Sequence, residues 1–289
     1  MSEEAPAGLD KLREDIDRID RELHQLLRER AAVVRRIGLA KRTASGERAA
    51  FIRPGREAEL MRGRIGDHDG ALPAASVARI WREILSGACQ MQAPFGVALY
   101  SPERSISHWD LVRNHFGSLT PIRLCASAQR VLQEVGQQNT IGVLPWPDHE
   151  EAQPWWPNLA SEDARAVNIV SALPFYESAT GRFESRRLMA VATYPPEPSS
   201  DDVSYMIVDT HPELSRTRLG ALLNQAGLKG GVMATYGREG LMKQLLELDG
   251  FIGRQDERLG RLVGGSDGAI TRAAVIGASA RPLGVLDTE

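Results

Sequence analysis

The chain has 289 residues, with 35 lysines and arginines against 38 acidic residues for a net charge of -3. That length points to two or three domains, and near-neutrality argues against nucleic acid or an anionic membrane as partner. The two cysteines, Cys89 and Cys125, fall in a helical and a strand context without metal-ligand or redox spacing, so they read as buried free thiols in a reducing cytoplasm. The segment before Leu9 is acidic, and no apolar run reaches the length of a membrane span, so neither secretion nor insertion is expected.

The chain opens with helical patterning. Apolar residues recur every three or four positions at Leu12, Ile16, Ile19, Leu23, Leu26, Val33, Val34 and Ile37, which marks one helix face. With no proline and a single glycine, Gly38, a helix over residues 9–41 runs about 50 Å at 1.5 Å per residue. The polar stretch 43–48 reads as a loop, and Pro54 then occupies the first turn of a second helix over 56–65. A turn at 67–73 leads into a third helix over 73–92, whose inward face takes Val77, Ile80 or Trp81, Ile84, Ala88 and Gln92. Ala93-Pro94 stops the pattern.

From Phe95 the period changes. Apolar runs at 96–100, 122–126 and 141–144 alternate with helical stretches at 108–116 and 129–135, an α/β arrangement. Residues 145–157, with Trp146, Trp155 and Trp156 among prolines and acids, read as an irregular loop, and strands follow at 167–173 and 188–193. A proline- and serine-rich linker at 195–202 precedes a third unit. Its strands (203–208, 231–235, 243–248, 271–278) and helices (216–226, 257–263) run β-α-β-β-α-β, a ferredoxin-like order. The glycine-rich 264–268 precedes a strand and reads as a turn, not a phosphate cradle.

The long helix carries Arg30 and Lys41 on its apolar stripe, in line with Leu23 and Ile37 and roughly 16 Å apart along the axis. A desolvated cation costs several kcal/mol unless an anion meets it, so this placement anticipates an anionic ligand. The two shorter helices cannot cover a stripe of that length, which makes a homodimer the expected state. In an antiparallel dimer Arg13 approaches the neighbour's Arg30 and Lys41.

The pattern of residues 9–20 (L-x-x-L-R-x-x-I-D-x-I-D), L-L-x-E-R at 26–30, I-G-x-A-K at 37–41 and R-P-G-R-E-A-E-L at 53–60 resembles the all-helical chorismate mutases, in the form found at the N-terminus of bifunctional chorismate mutase/prephenate dehydratases. The resemblance implies a three-helix intertwined-dimer fold that converts chorismate to prephenate, an isomerase of aromatic amino acid biosynthesis and the shikimate pathway, without cofactor or metal. It implies that Arg13 of one subunit and Arg30 of the other grip the substrate carboxylates, that Lys41 and Gln92 donate to the ether oxygen, that Glu57 takes the ring hydroxyl and that Arg56 shapes the pocket. Ala88 stands where the family often has a serine, and Arg53 where it often has an acid, departures expected to alter affinity rather than abolish activity. The chemistry suits these residue types: a concerted rearrangement needs a held conformer and stabilisation of charge growing on an oxygen.

After Pro94 the likeness thins. The strand ending in Gly142-Val143-Leu144-Pro145 is similar to part of prephenate dehydratases, but only about 100 residues are available, and the threonine-arginine-phenylalanine signature is replaced by Glu184-Ser185-Arg186-Arg187-Leu188. Dehydratase activity is therefore not expected. The last unit resembles an ACT regulatory domain, in which Pro212-Glu213-Leu214-Ser215 and the stretch 234–237 replace the effector signatures, leaving control by an aromatic amino acid open. The expected architecture is multidomain: an all-α mutase domain over 1–93, a truncated dehydratase-like α/β region over 94–198 and an ACT-like domain over 199–289. Two alternatives accompany it: a bifunctional mutase and dehydratase, and a non-catalytic dimeric small-molecule sensor.

Overall fold

The computed structural model describes residues 8–45, 52–101, 106–137, 139–148, 153–161, 166–178, 187–238 and 240–288. The chain forms two compact bodies, one from residues 1–51 with 88–94 and the other from 52–87 with 95–289.

The first body is dominated by helix α1 (Leu9–Ser45), which runs one turn beyond its expected end. Its apolar face is open to solvent: Leu12 is 50% exposed, Ile16 59%, Leu23 54% and Leu26 60%. The positions drawn down from solvent lie near the C-terminal half, at Arg30, Ala31, Val34, Gly38 and Lys41. Burial therefore varies along the stripe. Arg30 and Lys41 fall within about 60° of Leu23, Val34 and Ile37 at about 100° per residue, but Val34 is buried and the two cations are half-buried while Leu23 and Ile37 stay exposed. The eight-residue step from Arg30 to Gly38 overshoots two turns by about 80°, so small Gly38 lies toward the edge of the same side.

In the second body, helix α2 (Pro54–Gly66) starts with Pro54 at its first turn, as the sequence indicates. Helix α3 (Ala74–Gln92) gives this body nearly its first four turns. Ala58 and Met61 of α2, with Ala78 and Leu85 of α3, are buried against Phe175, Ala280 and Leu286. That apolar contact draws α2 and most of α3 into the sheet body, whereas their sequence pattern groups them with the long helix. The inward face of α3 also differs from expectation: Ala78, Arg82 and Leu85 are buried while Ile80 is 51% exposed. Both registers fit helical spacing, and the neighbour that receives the face decides between them.

The strands are β1 (Gly96–Tyr100), β2 (Ile122–Cys125), β3 (Thr140–Pro145), β4 (Asn168–Leu173), β5 (Glu177–Ser178), β6 (Leu188–Ala192), β7 (Asp202–Thr210), β8 (Gly230–Arg238), β9 (Leu241–Asp249), β10 (Ile270–Ala280) and β11 (Val285–Leu286). The two-residue β5 and β11 pair with each other and have no counterpart in the sequence reading. The other nine strands form one sheet in the order β2-β1-β3-β6-β4-β10-β7-β9-β8. Helices α4 (Ile106–Phe116) and α5 (Ala128–Val135) separate the parallel strands β1, β2 and β3. The last four strands, with α6 (Arg216–Ala226) and α7 (Glu257–Gly264), give the expected β-α-β-β-α-β unit in spatial order β10-β7-β9-β8. Ser215 and Asp256 cap α6 and α7 by accepting from backbone N–H groups, and Gly227 ends α6 in the left-handed region.

The two halves of the sheet meet at one point. β10 runs parallel to β4 through Gly277 opposite Ile169. Gly277 has φ +153°, and a Cβ there would lie 2.2 Å from the Ile169 carbonyl oxygen, so only glycine permits the backbones to close. A shared core lies across this seam, from Val131 and Val135 of α5 to Tyr205, Ala234 and Leu245. Trp155 and Trp156 belong to it, both essentially buried. They precede and open a 3-10 turn, Trp156–Leu159, and Trp155 Nε1 donates to the Pro145 carbonyl at 3.0 Å, so the stretch read as an irregular loop supplies core. Cys89 and Cys125 are buried and not joined in a disulfide, and no helix of the described residues is long and apolar enough to cross a membrane.

Candidate active site

Gly38 and Gln92 organise the first body. A Cβ on Gly38 would sit 3.3 Å from both Cα and Cγ of Gln92, so the last turn of α3 rests directly on the α1 backbone. Lys41 and Arg42 follow Gly38 by three and four residues, which brings them to the same side of α1. Arg42 Nη1 donates to the Gln92 main-chain carbonyl at 2.7 Å, satisfying an acceptor that the helix end leaves without an internal partner. The Gln92 side chain donates through Nε2 to the Ala88 carbonyl at 3.3 Å, and its Oε1 is buried without a hydrogen-bond partner. The second N–H of Nε2 has no acceptor among the described residues.

Lys41 and Arg30 are half-buried on the side of α1 that Gly38 borders. Ala88 is buried one turn before Gln92 on α3. This body therefore gathers Arg30, Lys41, Ala88 and Gln92 of the expected set. Arg13 is exposed on α1 and makes an ion pair with Asp10 at 3.3 Å.

Arg56 and Glu57 belong to the second body. Arg56 is exposed and pairs with Glu59 at 3.2 Å. Glu57 accepts from Arg82 Nη1 at 3.0 Å, and that pair is 17% and 4% exposed, respectively. The Arg82 guanidinium also lies 5.9 Å from the centre of the Phe175 ring. His115, Ala172 and Ala280 border the same small cavity. Burial, and then the Arg82 charge, hold the His115 imidazole well below its ordinary pKa of 6.5. Arg53 is tied to Glu197 at 2.8 Å, in an exposed pair.

Three of these residues escape the sequence reading. Arg42 and Arg82 look like ordinary solvated helix cations. Gly38 carries a readable signal, since a lone glycine costs a long helix about 1 kcal/mol relative to alanine and is retained for a reason. Glu184, Ser185 and Arg186, set beside the dehydratase signature, lie outside the described residues; Arg187 stacks on Trp146.

Comparison with known proteins adds independent evidence. A bifunctional chorismate mutase/prephenate dehydratase of Stutzerimonas stutzeri is 34% identical over 142 residues, covering 47% of this chain and 38% of that protein. The counterpart from Aquifex aeolicus is 31% identical over 142 residues, with the same coverage of 47% and 38%. The chain thus spans less than half the length of these curated relatives. Among solved structures, a prephenate dehydratase from Streptococcus mutans gives a TM-score of 0.42 at 12% identity, covering 67% of this chain and 99% of that one. Residues 12–93 match the family chorismate mutase type II. The N-terminal segment of this protein, from α1 through α3, therefore carries the similarity to the chorismate mutase type II family.

Proposed function

We propose that the protein is a chorismate mutase, an isomerase that rearranges chorismate to prephenate. The observation that carries the reading is the grouping of Arg30, Lys41 and Gln92 in one body within the segment that matches the family. Two half-buried cations and an amide with a spare N–H provide what the reaction asks for. A carboxylate binds Arg30, while Lys41 and Gln92 donate to the ether oxygen as its bond to carbon breaks. Contacts that strengthen in the transition state raise kcat, so Lys41 and Gln92 govern the chemical step and Arg30 mainly binding. Arg56 shapes the pocket and Glu57 accepts from the ring hydroxyl, both assigned by sequence pattern. Ala88 in place of a serine removes one donor to a carboxylate.

A homodimer completes the proposal. The exposed stripe from Leu12 to Leu26 is a large apolar surface for a chain in water. A second copy packed antiparallel along α1 covers it and delivers Arg13 of the partner subunit to the substrate. In this reading the segment 1–93 carries catalysis, 94–198 is a reduced dehydratase-like region, and 199–289 is an ACT-like domain open to an aromatic amino acid effector.

Purified protein mixed with chorismate tests the proposal: prephenate forms, and Lys41→Ala and Gln92→Ala each lower kcat by about 100-fold or more. Unchanged turnover in both variants removes the site assignment. The names of the relatives favour one second reading, a bifunctional mutase and dehydratase. It requires phenylpyruvate to appear from prephenate at neutral pH above the uncatalysed rate.

A further inference from the structure

The end of α3 is fastened to α1 by a cation that the substrate assignments leave unused. Residues 88–92 are the part of α3 that belongs with α1 in the first body. Gln92 is the last residue of that helix, so its carbonyl is among those with no intrahelical partner. Arg42 Nη1 donates to it at 2.7 Å, from fifty positions earlier in the chain. Two further contacts complete the seat of Gln92. Its Cα and Cγ lie against Gly38, and its Nε2 donates to the Ala88 carbonyl at 3.3 Å.

Arg42 is the strongest of these three fastenings. A hydrogen bond from a guanidinium is shorter and roughly twice as strong as one between neutral groups. Its charge also lies at the C-terminus of α3, where the helix dipole leaves partial negative charge on the last carbonyls. The Ala88 bond lies within α3, so it turns the Gln92 side chain without holding the helix end to α1. The approach at Gly38 permits contact but supplies no directed bond. Successive helical side chains diverge by about 100°, and Lys41 is half-buried whereas Arg42 is exposed and reaches the helix end. Arg42 thus ties the position of Gln92 to that of Lys41, its neighbour in α1, by a directed bond.

We propose that Arg42 is a positioning residue for the rearrangement: through the Gln92 carbonyl it holds the Gln92 amide in place relative to the Lys41 ammonium group. In the mutase reading, on which this role rests, those two donors meet the same ether oxygen. Two donors that converge on one atom must keep their separation, and a misplacement of about 1 Å costs on the order of 100-fold in rate. Without Arg42 the last turn of α3 frays, as helix ends do, and Gln92 spends part of its time out of reach. Arg42 touches no substrate atom in this arrangement, so it acts on kcat rather than on KM.

The test is steady-state turnover of chorismate by the full chain carrying Arg42→Met or Arg42→Lys, each also made in the Gln92→Ala background. Arg42→Met lowers kcat about tenfold with KM altered by less than about threefold, and Arg42→Lys, which keeps a charged donor, regains most of the loss. In the Gln92→Ala background the amide is already gone, and there Arg42→Met lowers kcat by less than about twofold. Circular dichroism establishes that each variant is folded. If Arg42→Met does not fold, Arg42→Gln takes its place in both backgrounds. Equal loss in both backgrounds, a rise in KM with kcat unchanged, or unaltered kinetics overturns the positioning role while leaving the mutase reading intact. An unmodified protein that leaves chorismate untouched removes the mutase reading itself, and the role of Arg42 with it.

Discussion

Replacing Arg82 with methionine separates a buried ion pair from the exposed ones that decorate this chain. Arg82 is 4% exposed and its partner Glu57 is 17% exposed, at 3.0 Å. Methionine keeps much of the side-chain volume but leaves the Glu57 carboxylate partly buried without its cation. Stranding one member of a buried pair costs about 3–5 kcal/mol, because the remaining charge has lost both water and counter-ion. In a body of this size that lowers the melting temperature by on the order of 10 °C. The Arg53–Glu197 pair is shorter, at 2.8 Å, but its members are 49% and 35% exposed. There Arg53→Met costs at most about 1 kcal/mol, since water screens both charges before and after. Melting followed by tryptophan fluorescence compares the two, and Arg82→Met with Glu57→Leu recovers much of the loss, since the doubly substituted site holds no unpaired charge. Equal melting of Arg82→Met and Arg53→Met, or no recovery in the double variant, refutes the reasoning.

Further outcomes follow from the same structure. His115 is held below its unfolded pKa of 6.5 by burial and then by Arg82, so below pH 6.5 the unfolded chain binds a proton that the folded one refuses. Stability is fully present above that pH and falls by about 1.4 kcal/mol per pH unit as acidity increases towards the folded pKa; melting scans from pH 8 to 5 show it, and His115→Gln flattens the slope. Gly38→Val drives a side chain into Gln92, whose Cα lies 3.3 Å from the position of a Cβ. On the mutase reading it lowers kcat toward that of Gln92→Ala while circular dichroism stays helical; unaltered turnover counts against the seat. Burial, followed by the Glu134 charge, raises the Cys125 thiol above its ordinary range, so at neutral pH a thiol reagent modifies it only after denaturant is added.

The sequence by itself determined what depends on local chemistry. Periodicity located α1, and Pro54 located the start of α2. The change from a helical period to short apolar runs after Pro94 marked the α/β region, and the order of elements from Asp202 to Ala280 defined the β-α-β-β-α-β unit. The positions of the cations on α1 and of the amide at the end of α3 were legible from residue type and helical spacing alone. Tertiary structure alone decided which competing face is buried. Ile80 and Arg82 both fit a helical stripe on α3, and the apolar platform of Phe175 and Ala280 selected the face that includes Arg82. It also placed Trp155 and Trp156 in the core, although their proline-rich neighbourhood resembles a loop, because burial depends on which strands surround a segment. The joining of nine strands through Gly277 and Ile169 arises from a pairing between residues far apart in the chain. Such a contact leaves no local trace, since a backbone approach acquires meaning only from what lies opposite it.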